Sequence, residues 1–166
     1  SNLLLGGWIS EEFIQALDGT SYPTVYPRLP LLVGTTTDGK FVGTVNGAGR
    51  GNAPEQGARS TLIEGQYYNS RLSPLLIASY AELKFIEAEA AFATDKAKAY
   101  DSYLKGINAH MDMLKVSAVN KAAYLAAPSV SMGASALTLN DIFKEKYVAM
   151  FLHPETWNDA RRIDYK

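Results

Sequence analysis

The chain of 166 residues contains no cysteine. That excludes disulfides, thiolate metal sites and a cysteine nucleophile. It leaves the compartment open, because periplasmic and surface proteins can fold without disulfides. No apolar run approaches the roughly 18 residues of a membrane-spanning helix, and Leu3-Leu4-Leu5 is stopped by Gly6-Gly7. Charge of one sign is lacking too: 16 Lys and Arg stand against 17 Asp and Glu, a net charge of −1. Such a chain offers no electrostatic footprint for nucleic acid or an acidic polymer. There are only 2 histidines, His110 and His153, and neither sits in a spacing such as H-E-x-x-H, so no metal site is expected. A G-x-S-x-G elbow is missing. Asn46-Gly47-Ala48-Gly49-Arg50-Gly51 is glycine-rich but lacks the Lys-Ser/Thr ending of a phosphate loop.

What is present divides into two unlike halves. Eleven of the 13 glycines lie at or before Gly65 and five of the 7 prolines at or before Pro74, so the first half is turn-rich and the second helix-rich. A short helix opens the first half, with Ser10 as N-cap, Glu11 and Glu12 at the positive end of its dipole and Gly19 as its stop. Tyr22-Pro23 and Tyr26-Pro27 are extended, because the residue before proline avoids the helical region. Asp38-Gly39 predicts a small β-hairpin between Val33–Thr37 and Lys40–Val45. So long a loop region is uncommon unless it binds something or packs on another element.

After Pro74 the period becomes helical. Leu83, Ile86, Ala90 and Ala93 recur at helical spacing behind Ser79 as N-cap. Thr94-Asp95 breaks the pattern. A second helix then aligns Tyr100, Tyr103, Leu104, Ile107, Met111 and Leu114 on one stripe. Two such helices with a tight joint form a helical hairpin, the unit of tetratricopeptide-like repeats. One hairpin is short of the three or so repeats that such arrays need, so partner helices are expected elsewhere. A small helix near Asn120–Ala126 follows. Thr138 or Asn140 caps a helix carrying Ile142, Phe143, Tyr147, Met150 and Phe151, and Pro154 opens a final helix.

Chemistry is sparse. Glu82 and Glu89 share a helix face about 10 Å apart by helix rise, near the 5–9.5 Å spacing of a glycosidase pair. Contact with Lys84 and Lys96 or a solvated face accounts for them better. Trp8, Tyr22, Tyr26, Phe41, Tyr67 and Tyr68 gather in the loop-rich half, near Arg50, Asn52, Gln56, Arg59 and Asn69. Aromatic faces stack on sugar rings, and amide or guanidinium groups hydrogen-bond sugar hydroxyls. The competing role for these tyrosines is packing within the loop region or against another domain. From this set Tyr22, Tyr26, Tyr67, Tyr68, Arg50 and Asn52 are the candidate ligand-binding residues. In the last helix Trp157 and Arg161 are i,i+4 and Asp159 and Arg162 are i,i+3, with Glu155 on the same face. These five form a structural clasp, since no nucleophile or base with a defined partner accompanies them.

Three segments carry a family resemblance. Tyr26-Pro27-Arg28-Leu29-Pro30 resembles the D-P-R-L-P motif of SusD/RagB-type nutrient-binding lipoproteins of the Bacteroidetes outer membrane. Ser79-Tyr80-Ala81-Glu82-Leu83-Lys84-Phe85-Ile86-Glu87-Ala88-Glu89-Ala90-Ala91 is similar to that family's E-x-x-x-I/L-x-x-A-E-A helix. Ile142 to Phe151 followed by Glu155, Trp157, Asp159, Arg161, Arg162 and Tyr165 resembles its I-x-x-E/Q-K-Y-I-A-L-F … E-x-W-x-D-x-R-R-x-x-Y-P ending. Tyr100 to Ile107 fits the more divergent branch of the family. Tyr26 stands where the motif has its acidic residue, so nothing made by that carboxylate carries over.

The resemblance implies a mainly α fold: a tetratricopeptide-like helical hairpin plus further helices, and a long loop-rich segment containing a small β-hairpin. It implies a C-terminal portion of a SusD-like domain, with 1–77 loop-rich, 78–166 helical, and the N-terminal, repeat-bearing portion and lipid anchor absent from this chain. It implies surface capture of a glycan or oligopeptide for a SusC-like TonB-dependent transporter at the outer membrane, with no catalysis and no organic cofactor. The alternative is a tetratricopeptide-like scaffold that grips a protein partner. A glycosidase is the third class.

Overall fold

The computed structural model describes residues 8–49, 51, 54–62, 68, 70 and 72–162. Its described residues form seven helices: α1 (Glu11–Leu17), α2 (Leu29–Leu32), α3 (Tyr80–Ala91), α4 (Lys96–Met113), α5 (Ala118–Leu125), α6 (Leu139–Ala149) and α7 (Glu155–Arg162). The protein is therefore mainly helical. The chain divides into two compact units, Ser1–Pro74 with Val116–Asn120, and Leu75–Lys115 with Lys121–Lys166.

In the first unit, α1 begins as its sequence predicts. The Ser10 Oγ accepts the Phe13 N–H at 3.2 Å, which satisfies one of the donors that every helix start leaves open. Glu11 and Glu12 occupy the first turn. Phe13, Ile14, Ala16 and Leu17 are buried, and Gly19 leaves the helix at φ +92°. The single turn of α2 buries Leu29 and Leu32 and carries Pro30 in its first turn, where a missing N–H costs nothing.

The Asp38-Gly39 turn forms, but no β-hairpin grows from it among the described residues. The Thr36 N–H donates to the Lys40 carbonyl at 2.8 Å, and the Thr36 Oγ1 accepts the Lys40 N–H at 3.0 Å. Beyond these bonds the two arms pair with a third segment. The Gly34 N–H donates to the Thr61 carbonyl at 2.8 Å, and the Ser60 N–H donates to the Val42 carbonyl at 2.7 Å. The Val42 N–H in turn reaches the Ser60 Oγ at 2.9 Å. Isolated bridges, Trp8 with Thr61, Ser10 with Thr44 and Val33 with Leu62, stand where a ladder was expected. Backbone groups must be satisfied, and here Ser60–Leu62 satisfies both arms.

In the second unit, α3 and α4 make a helical hairpin through Phe92–Asp95, and α6 packs on both. Side-chain caps set the starts: the Ser79 Oγ accepts the Glu82 N–H at 3.0 Å, and the Asp95 Oδ1 accepts the Lys98 N–H at 2.9 Å. Thr138 and Asp141 form a reciprocal capping box at α6. The α4 stripe buries Tyr103, Ile107, Met111 and Leu114.

The core face of α3 differs from the stripe in the sequence. Ala81, Phe85, Ala88 and Ala91 are buried, whereas Leu83 and Ile86 are 57% and 47% exposed. Phe85 decides the matter. Its ring lies over Gly106 of α4, where an added Cβ would stand 2.9 Å from the ring tip. Burying that ring stabilises by about 1.5–3 kcal/mol, and three alanines on the same side keep the helices close. No described helix is long and apolar enough to cross a membrane.

Candidate functional site

The first unit holds a cleft that begins with a glycine. At Gly43 any Cβ would fall 2.3 Å from the Glu11 Cα, so only glycine lets the two backbones touch. The Thr44 N–H then donates to the Ile9 carbonyl at 2.8 Å, and the Glu11 N–H donates to the Thr44 carbonyl at 3.0 Å. This pairing sets Trp8–Ser10 beside Thr44–Gly49. Between them opens a cleft of about 390 Å³, lined by Trp8, Ile9, Ser10, Thr44, Val45, Asn46, Gly47 and Gly49. That volume sits at the small end of the roughly 300–1,000 Å³ of small-molecule sites.

Each polar group of the wall has a defined setting. The Arg59 guanidinium lies 4.4 Å from the centroid of the Trp8 ring, within cation–π range, and its Nη1 donates to the Pro54 carbonyl at 2.6 Å. The Asn46 amide donates to Glu12 at 2.8 Å. Thr44 is buried, and its Oγ1 has no hydrogen-bond partner among the described residues. Gly47 and Gly49 take φ of +77° and +76°.

The predicted ligand residues scatter. Tyr22 and Tyr26 come together with ring centroids 6.3 Å apart. Tyr26 is buried and its N–H donates to the Leu17 carbonyl at 2.8 Å. The fully buried Arg28 places its guanidinium 4.8 Å from the Tyr26 ring centroid. Tyr26 therefore packs inside the unit and gives Arg28 an aromatic face. Tyr22 and Tyr68 are half-buried. Arg50, Asn52 and Tyr67 lie outside the described residues. Ser10 and Thr44, which line the cleft, were absent from the sequence-derived candidates. Their only signal was the backbone exposure promised by the glycines of the 46–49 loop.

The clasp of the second unit is an ion network. Asp159 meets Arg162 at 2.8 Å and Lys146 at 2.6 Å. Arg162 also grips Glu89 of α3 with both guanidinium nitrogens, and its guanidinium lies 5.4 Å from the Phe143 ring centroid. Burial works to raise the Asp159 carboxyl, but hydrogen bonds from Lys146 and Arg162 outweigh it and hold the group below the usual carboxylate range. Glu89 and then Asp159 strengthen the hold of Arg162 on its proton. Glu155 is engaged by the Asn158 amide at 2.7 Å, while Trp157 and Arg161 are exposed. Sequence spacing found the Asp159–Arg162 pair. Glu89 and Lys146 come from other helices.

Glu87, one turn before the end of α3, is held at about 2 by hydrogen bonds from Lys84 and Ser102 and by Lys98, against the desolvation that would raise it. Glu89, one of the carboxylates weighed for sugar hydrolysis, is committed to Arg162. His110 is buried on α4, and the His153 Nδ1 accepts the Glu155 N–H at 3.4 Å. Among the described residues no cluster of His, Asp and Glu is arranged to hold a metal ion.

A family model described as starch-binding and associating with the outer membrane, SusD-like in type, matches residues 9–166. No curated protein matches the chain, and no solved structure does.

Proposed function

The chain belongs to this SusD-like family, and we propose from that membership that it binds a nutrient glycan at the bacterial outer-membrane surface and passes it to a TonB-dependent transporter. The family match along residues 9–166 carries the reading. The uncharged cleft beside Trp8 supports it, because an indole edge and neutral hydrogen-bonding groups suit a sugar. The chain acts by binding and performs no catalysis. Among the residues proposed to touch ligand, Tyr22 and Tyr68 are half-buried, and Arg50 and Asn52 adjoin the 46–49 loop in sequence.

The helical unit plays the tetratricopeptide-like part of the domain. Tyr80, Leu83 and Ile86 line one side of α3 and stay exposed. Such a stripe at helical spacing accepts a neighbouring helix. In this reading it receives the repeat-bearing N-terminal portion of a lipid-anchored protein. The same stripe also favours the second reading, a scaffold for a protein partner. An upstream lipoprotein signal with its cysteine would select the first.

Isothermal titration against a panel of glycans and oligopeptides tests the proposal. Saturable binding of a glycan is the expected result. A panel without any binder, glycan or peptide, overturns it. Co-purification of the full protein with a TonB-dependent transporter tests the delivery step.

A further inference from the structure

We infer that the cleft beside Trp8 and Thr44 is a seat for one ring of an oligosaccharide, with the Thr44 hydroxyl and the Asn46 amide as its hydrogen-bonding groups; this deepens the glycan reading above and rests on it. Three observations carry the inference.

The first is an unfilled hydroxyl. Thr44 is nine-tenths buried and lines the cleft, yet its Oγ1 has no hydrogen-bond partner among the described residues. Buried hydroxyls are ordinarily bonded, and one left open marks a place where something else completes the bond. A sugar hydroxyl, donor and acceptor at once, matches a threonine hydroxyl that is also both.

The second is an uncharged lining. The eight lining residues are all uncharged. Beside them Glu12 accepts from the Asn46 amide, and Arg59 lies over Trp8 and donates to the Pro54 carbonyl while its buried Nε has no partner among the described residues. The lining itself offers hydroxyl, amide and backbone groups, which match ring hydroxyls.

The third is shape and approach. Trp8 is one of the lining residues, and an indole suits the apolar C–H surface of a sugar. Glu12 orients the Asn46 side chain, which leaves a carbonyl oxygen and a second N–H for ring hydroxyls. Around Gly47 and Gly49 a Cβ would meet nothing within 4 Å, so the rim is open to a chain running out of the cleft. This suits a ring within an oligosaccharide.

The test uses the full chain carrying Trp157→Phe, which leaves Trp8 as the single reporter of the 2 tryptophans. Malto-, cello-, manno- and xylo-oligosaccharides are the probes. Expected are a saturable change in Trp8 emission with one of them, and affinity at least about tenfold weaker in Thr44→Val and Asn46→Ala, where one or two hydrogen bonds are lost. Cooperative melting and unchanged circular dichroism show that both variants fold. Calorimetric binding of a neutral glycan with equal affinity in both variants overturns the cleft and leaves the glycan reading standing. A wild-type chain that binds no glycan overturns the glycan reading, and the cleft with it.

Discussion

Arg162 in the last turn of α7 grips Glu89 of α3 through both guanidinium nitrogens, the Nη2–Oε2 bond measuring 3.0 Å. The same guanidinium holds Asp159 at 2.8 Å, and Asp159 holds the buried Lys146 of α6 at 2.6 Å. One chain of four charges thus ties three helices together. Networks of this kind are worth more than their separate pairs.

The two ends of that network should respond unequally. Arg162 is about half exposed, so Arg162→Ala should cost only about 1 kcal/mol, the range of a solvent-screened pair. Lys146 has a side chain only 7% exposed, and Lys146→Met should cost about 1.5–3 kcal/mol, the range for a hydrogen bond to a charged group. Urea unfolding of both variants checks the order. Equal losses would show that the exposed end carries as much as the buried one.

Acid should loosen the α3–α4 hairpin. The Glu87 carboxyl, ordinarily at 4.5, is held at about 2 by Lys84 and Ser102. Between those values the unfolded chain binds more protons than the folded one, so stability rises with pH there. The contribution is fully present above about 4.5 and lost as pH falls through about 2. Asp159, also lowered, acts in the same sense. Melting temperature measured from pH 6 to pH 2 should fall, and Glu87→Gln should flatten the slope.

Much of the fold is legible along the chain because it depends on near neighbours. The caps at Ser10, Ser79 and Thr138 each act three residues ahead, and the Asp159–Arg162 pair spans one helical turn. The α4 stripe is equally local. Choices among distant partners are not legible. α3 has apolar residues on two sides, and only the notch at Gly106 selects Phe85 over Leu83 and Ile86. The Asp38-Gly39 turn announces a hairpin, but Ser60–Leu62 captures both arms. The cleft likewise exists only because Thr44 pairs with Ile9 across the unit. Tyr26 reads equally as a ligand-binding or a packing aromatic beside proline, and inside the unit its ring packs against the buried Arg28 guanidinium.

Gly106→Ala tests the notch. Alanine is the better helix former by about 1 kcal/mol, so an exposed site would gain stability. Here the added Cβ would meet Phe85 Cζ at 2.9 Å and two further ring carbons at 3.0 Å. The ring is fully buried and has nowhere to retreat. Overpacking of this kind costs about 1–3 kcal/mol, so the variant should be less stable despite its propensity. The double variant with Phe85→Leu should recover part of the loss.

Thr44→Val separates stability from binding. Its Oγ1 is buried and has no partner among the described residues, a state that costs about 1–3 kcal/mol relative to a bonded hydroxyl. Valine has nearly the same shape and no hydroxyl to satisfy. If the hydroxyl served the fold, its removal would cost stability; if it serves a ligand, the fold improves while binding suffers. The expected outcome is a gain of about 1 kcal/mol, read as a rise of about 2–4 °C in melting temperature for a chain of this size, with weaker affinity for neutral oligosaccharide. A variant that melts earlier would mean that Thr44 already holds a structural bond, and the hydroxyl would then have no call for a ligand.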